Sequence, residues 1–145
     1  MADIKTILFA TDFSEGSVRA CDMAGTLAAQ SGATLLVLHV ITEFADKQSR
    51  HLPAEVIETL IREVEKHAVE DMHRFCEKHF AGRPIATEIV IGKSDQEILR
   101  VAAERKADLI VMGTHGRTGI EKLFVGSTAE KVVRSSKIPV LTVRE

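Results

Sequence analysis

The sequence predicts an α/β fold in which helices pack on both faces of a parallel sheet, and three observations carry that prediction. Five apolar runs, IKTILFA, ATLLVLHVI, IATEIVI, DLIVMG and IPVLTV, are spread along the 145 residues. Helix-patterned stretches separate them, giving the order β-α-β-α-β-α-β-loop-α-β. The apolar residues within several runs are continuous rather than alternating, as in strands covered on both faces. Alternating strands and helices with right-handed crossovers make such a sheet parallel and doubly wound.

Each element follows from its own residues. The first strand, Ile4 to Ala10, ends at Thr11-Asp12. Asp12 or Ser14 then starts a helix, Gly32 follows its end, and Val18, Cys21, Ala24, Gly25 and Ala28 mark its buried side. The second strand ends near His39-Val40. Residues 42 to 54 are polar, carry Pro53 and read as a loop. A long helix should run from about Ala54 to Phe80, with Ile57, Leu60, Ile61, Val64, Ala68, Met72, Phe75 and Cys76 on one face. Gly82 and Pro84 break it. After the third strand, Ser94 with Glu97 fits a capping box for the third helix. Ser127 with Glu130 fits another for the last helix. No repeat, low-complexity segment or second domain is visible, so residues 1 to 145 read as one domain.

Composition narrows the function. Apolar residues make up 45 % and charged residues 28 %, an ordinary globular balance, and the formal net charge is −2. That balance, with no Trp and no Tyr, argues against a nucleic-acid binder. No apolar run approaches the ~20 residues of a membrane span, and the opening MADIKTILFATD lacks a signal-peptide plan. The expected compartment is the cytoplasm. Cys21 and Cys76 lie in helical patterns and read as reduced, packed residues.

The stretch GTHGRTGIEKLFVGST, residues 113 to 128, concentrates four glycines. Its spacing is neither the dinucleotide fingerprint nor a Walker loop. Glycines there let successive N–H groups share one concavity, and Gly126-Ser127-Thr128 opens a helix whose free N–H groups favour phosphate. Plain turn chemistry plus a cap at Ser127 explains the same residues without any ligand.

The arrangement Gly113-x2-Gly116-x9-Gly126-Ser127 resembles the motif of ATP-binding universal stress proteins. The opening ILFATDFSEGSVRA, the second strand LLVLHVI and the terminal IPVLTV are similar to that family as well, so the resemblance spans essentially the whole chain. It implies an open, doubly wound, five-stranded parallel sheet in the order 3-2-1-4-5, of the adenine-nucleotide α-hydrolase-like type, with ATP between strands one and four. By position, Thr11 and Asp12 would meet adenosine and ribose, and Val40 the adenine edge. Met112 and Gly113 would line the ribose side. Gly116, Gly126, Ser127 and Thr128 would hold the phosphates, with Arg117 available to neutralise them. Mg²⁺ would ride on the nucleotide. The resemblance also implies a homodimer through strand five, Val140, Leu141, Thr142 and Val143. Thr11-Asp12-Phe13 departs from relatives with Pro or Val near that aspartate. Phe13 can pack under the nucleotide or staple the helix start.

Other readings are weaker. A receiver domain needs an aspartate after strand three, where this chain has Gly92-Lys93. His115, Arg117, Glu121 and Lys122 are candidate groups for hydrolysis, but no acid pair for a metal accompanies them, and slow or no turnover is expected. His67, His73 and His79 are six apart and do not share a helix face, so no metal site is expected. His39 reads as packed or hydrogen-bonded near the site. Three functions remain: a nucleotide-binding stress regulator, a slow ATPase or phosphotransferase using the same pocket, and a protein-interaction module in which the glycines are structural.

Overall fold

In the structure, a computed structural model that describes residues 3–44, 51–115 and 125–144, five parallel strands form one sheet. They are β1 (Thr6–Ala10), β2 (Thr34–Ile41), β3 (Ile85–Ile91), β4 (Leu109–Gly113) and β5 (Val140–Val143), in the order β3-β2-β1-β4-β5. The register pairs Ala10 with Leu38 on one side and with Met112 on the other. The chain steps outward from β1 to β2 and β3, then crosses to β4. The order therefore reverses beside β1, and the carboxyl ends of β1 and β4 flank the crevice where such sheets bind ligands.

The helices are α1 (Val18–Ser31), α2 (Ala54–Phe80), α3 (Ser94–Glu104) and α4 (Ser127–Ser135). Side chains alternate along each strand, so each strand feeds two cores. Ile7, Phe9, Leu35, Val37 and Val111 pack with Cys21 and Ala24 of α1 and with Met72, Phe75 and Phe80 of α2. Leu8, Leu36, Leu38, Ile110 and Met112 pack with Ile98 and Val101 of α3 and with Ala129 and Val132 of α4. Gly32 closes α1 with a positive φ of 71°, the left-handed cap that glycine adopts without steric cost.

Four local expectations change. Ser94 is the first helical residue of α3 and Lys93 precedes it, with no side-chain cap. Glu97 instead binds Arg100, so the capping box does not form. Ser127 likewise opens α4 after Gly126, with no side-chain cap, and Glu130 pairs with Arg134. Ser14 precedes a 3-10 turn, Glu15–Ser17, that leads into α1 and also lacks a side-chain cap. Along α2, the buried residues begin only at Ala68, while Val56 and Leu60 are 43 % and 41 % exposed. Length explains this. A helix of 27 residues extends ~40 Å, well beyond the ~26 Å of an eight-residue strand such as β2.

Both cysteines are free and buried. Burial pushes the Cys21 thiol up to about 12, with a smaller contribution from the Asp22 charge, and burial raises Cys76 as well. Thiolate chemistry is suppressed at both.

One carboxylate ties the amino ends of the inner strands together. Asp108 Oδ2 accepts the Lys5 N–H at 2.8 Å and the Thr6 N–H at 3.0 Å. These bonds, the Lys5 one first, hold its pKa below the ordinary carboxylate range. A depressed pKa stabilises the fold above the unfolded carboxyl's pKa of about 3.9, and that stabilisation fades as pH falls through the folded value. The stability gap between wild type and Asp108→Ala should therefore be constant above about pH 5 and shrink on acidification. Urea titrations at several pH values check this, and a gap independent of pH would refute it.

Candidate functional site

The β1 end of the crevice is built by a chain of hydroxyls. Thr11 and Ser17 are 7 % and 4 % exposed. The Phe13 N–H donates to Thr11 Oγ1 at 3.0 Å, Thr11 Oγ1 lies 3.1 Å from Ser17 Oγ, and Ser17 Oγ donates to the Ser14 carbonyl at 2.8 Å. Each hydroxyl has one proton, so the direction is fixed: Ser17 gives its proton to Ser14 O, and Thr11 must give its own to Ser17. His39 Nδ1 stands 2.9 Å from the Thr11 carbonyl. A carbonyl only accepts, so Nδ1 carries the hydrogen.

This lattice holds Phe13 in the left-handed region, φ 65°, which costs a bulky residue ~1–2 kcal/mol. Its ring stacks on His39 at 4.3 Å and meets Phe75 of α2 at 5.7 Å. Phe13 thus staples the loop to α2. Asp12 Oδ1 accepts both the N–H and the hydroxyl of Ser14, which orients the carboxylate. Thr11→Val keeps the shape but leaves the Phe13 N–H and Ser17 without their partner. It should cost ~1–3 kcal/mol by urea denaturation, with Thr11→Ser recovering most of that. An equally stable Val variant would refute the relay.

The β4 end centres on a residue that sequence reasoning passed over. Thr114 is 4 % exposed. Its N–H donates to the Val143 carbonyl at 3.1 Å, and its carbonyl accepts the Gly126 N–H at 2.6 Å. It therefore links the end of β5 to the start of α4. A Cβ added to Gly126 would stand 2.8 Å from the Thr114 carbonyl oxygen and 3.7 Å from His115 Cα. Glycine is required there by approach and not by dihedral, since its φ is −62°. Gly113 differs: its nearest would-be contacts, the Gly16 and His115 carbonyls, are at an ordinary 3.5 Å.

The structure brings Thr11, Asp12, Gly113, Gly126, Ser127 and Thr128 to the same carboxyl-end region. The Gly126 N–H is already engaged by Thr114. The next three N–H groups, of Ser127, Thr128 and Ala129, are the first-turn donors of α4 and lack intrahelical acceptors. Val40 is partly buried near the end of β2, and the Met112 side chain lies in the α3–α4 core while its main chain pairs with Ala10 of β1 and Thr142 of β5. Gly116 and Arg117, like Glu121 and Lys122, lie outside the described residues. His39 is packed and hydrogen-bonded as expected. Along α2, His73 pairs with Glu77 at 3.1 Å, His67 approaches Glu70 at 3.9 Å, and His79 meets the Phe75 ring. Among the described residues, no three His, Cys, Asp or Glu side chains form a metal-binding group, and no helix is long and apolar enough to cross a membrane.

The chain's sequence and its fold match known proteins. The sequence model of the universal stress protein family matches residues 3–144. The chain belongs to the universal stress protein family. It is 36 % identical over 141 residues to a universal stress protein of Thermus aquaticus, covering 97 % of this chain and 98 % of that relative. It is 35 % identical over 147 residues to universal stress protein MJ0531 of Methanocaldococcus jannaschii, covering 97 % and 82 %. Among solved structures, MJ0577 superposes with a TM-score of 0.86 at 29 % identity, covering 99 % of this universal stress protein and 98 % of that chain. MJ0577 is itself a Methanocaldococcus jannaschii universal stress protein. A universal stress protein solved in complex with cAMP superposes at 0.62 with 30 % identity, covering 99 % and 98 %.

Proposed function

We propose that this universal stress protein binds ATP in the crevice between the carboxyl ends of β1 and β4 and serves as a cytoplasmic, homodimeric regulator of the stress response. The observation that carries the reading is the contact of Gly126 with Thr114. It holds the start of α4 against the end of β4, so the first-turn N–H groups of Ser127, Thr128 and Ala129, which lack intrahelical acceptors, face a ligand lying over the strand ends. Asp12, held by Ser14, takes the ribose side, where a carboxylate accepts hydroxyl protons and repels phosphate. The phosphate chain then runs toward α4, with Mg²⁺ carried on it. The relative bound to cAMP supports an adenine nucleotide as the ligand class.

β5 pairs with β4 on one side, and its other edge fits a twin strand through Val140–Val143. Turnover should be slow at most, because Asp12, placed on the ribose side, is too far along the nucleotide to activate a water at the terminal phosphate. The deciding experiment strips the purified protein of co-purified nucleotide, then titrates it calorimetrically with ATP and Mg²⁺, ADP, AMP and cAMP. ATP binding tighter than AMP binding is expected. Folded, stripped protein that binds none of the four would overturn the proposal.

A further inference from the structure

We propose that His115 donates a hydrogen bond to the phosphate chain of the bound nucleotide beyond its first phosphate, and that the Thr114 hydroxyl sets the imidazole tautomer for this role. The inference rests on the nucleotide-binding reading above. Among the described residues, His115 Nε2 is the buried side-chain nitrogen or oxygen left without a hydrogen-bond partner. A buried polar atom left unmet costs ~1–3 kcal/mol, and native proteins keep few of them. An atom of this kind beside a candidate ligand site marks a bond that the ligand completes.

The other ring nitrogen explains the poise. His115 Nδ1 lies 3.0 Å from Thr114 Oγ1. The backbone N–H and carbonyl of Thr114 are both committed, to Val143 and Gly126, so the residue is fixed and only its hydroxyl proton can turn. When that hydroxyl donates to Nδ1, the ring hydrogen resides on Nε2, which is then a pure donor. A general base at Nε2 would need the opposite tautomer, so His115 serves binding rather than proton abstraction. Position supports the role. His115 Cα would be 3.7 Å from a Cβ on Gly126, which sets the residue beside the amino end of α4, toward which the proposed phosphate chain runs. A donor there reads how many phosphates the ligand carries.

The test compares ATP, ADP and AMP binding to stripped wild type and to five variants. His115→Phe should lose roughly tenfold to hundredfold in ATP affinity, with AMP affinity changed by less than about twofold. His115→Gln, whose amide nitrogen reaches the Nε2 position, should retain the preference for ATP. His115→Asn, which reaches only the Nδ1 position, should not. Thr114→Val should reproduce the selective loss and Thr114→Ser should restore binding. An equal fall for ATP and AMP, or an unchanged ATP affinity in His115→Phe, would overturn the proposal. A wild type that binds no nucleotide is a different failure, seen before any variant is made, and it removes the binding reading and this inference together. Nitrogen NMR of the ligand-free protein gives a readout without nucleotide. The hydrogen should sit on Nε2 in wild type and redistribute to both nitrogens in Thr114→Val; a wild type protonated at Nδ1 alone would refute the tautomer assignment.

Discussion

Gly126→Ala is expected to lower ATP affinity on the order of a hundredfold while the protein remains folded. The added methyl would stand 2.8 Å from the Thr114 carbonyl oxygen, a backbone atom that cannot swing aside as a side chain can. Relief requires moving the start of α4 away from the end of β4, which breaks the 2.6 Å bond from the Gly126 N–H to that carbonyl. Both consequences act on one place. The first-turn N–H groups shift relative to the crevice, and hydrogen-bond contributions to an anion fall steeply with misplacement. The cost to folding should be ~1–3 kcal/mol, the usual range for forcing atoms into a filled space. That is small beside the ~5–15 kcal/mol of a typical domain. Gly113→Ala is the control, because its methyl would meet only 3.5 Å contacts, and it should bind within a few-fold of wild type. Calorimetric titration and urea denaturation of the two variants check the pair. If Gly126→Ala binds ATP like wild type, the glycine is not a cradle element.

How much of this was legible in the sequence depends on what kind of force fixes each feature. The strand β3 and the helix α2 have the bounds that their residues suggest, because Gly82, Pro84 and Gly92 punctuate them and a 3.6-residue pattern runs along α2. The strand order 3-2-1-4-5 came from family resemblance, since alternation alone makes a parallel sheet without ordering it. The capping boxes at Ser94–Glu97 and Ser127–Glu130 did not form, because Arg100 and Arg134 draw the glutamates outward into helix-surface pairs and the serines lie inside their helices. A four-residue pattern cannot report that competition. Thr114 was missed for a related reason. Its importance comes from two backbone bonds to segments distant in sequence, at Val143 and Gly126, and backbone geometry has no residue signature. Gly126 stands out in the sequence as a proposed phosphate contact, but the need for glycine that the structure shows is a close approach, which is invisible until Thr114 is in place. Phe13 was given two roles, under the nucleotide or at the helix start, and the contact it makes with the rings of His39 and Phe75 is a further one that only the position of α2 reveals.

Phe75→Ala should be the most destabilising single change among the aromatic residues around the site. The Phe75 ring lies 6.2 Å from Phe9, 5.7 Å from Phe13, 6.3 Å from Phe80 and 4.5 Å from His79. Removing it opens a cavity where β1, the β1–α1 loop and α2 meet, and large-to-small changes of this type cost ~3–5 kcal/mol. The neighbours collapse poorly because Phe9 is fixed on a central strand and fully buried. The effect should reach the site. Phe13 is held in its left-handed backbone by the Thr11 hydroxyl and by the packing of its ring on His39 and Phe75, so losing one of the two rings relaxes the loop that presents Asp12. ATP affinity should therefore fall several-fold in conditions where the variant is fully folded. Val69→Ala supplies the contrast on the same helix: its side chain is largely exposed, and the change should stay within about 0.5 kcal/mol. Urea unfolding of both variants, followed by titration under native conditions, separates the two effects. A Phe75→Ala cost below about 2 kcal/mol would mean that the cluster closes over the gap, and an unchanged affinity would show that Phe13 holds the Asp12 loop through its hydrogen bond to Thr11 alone.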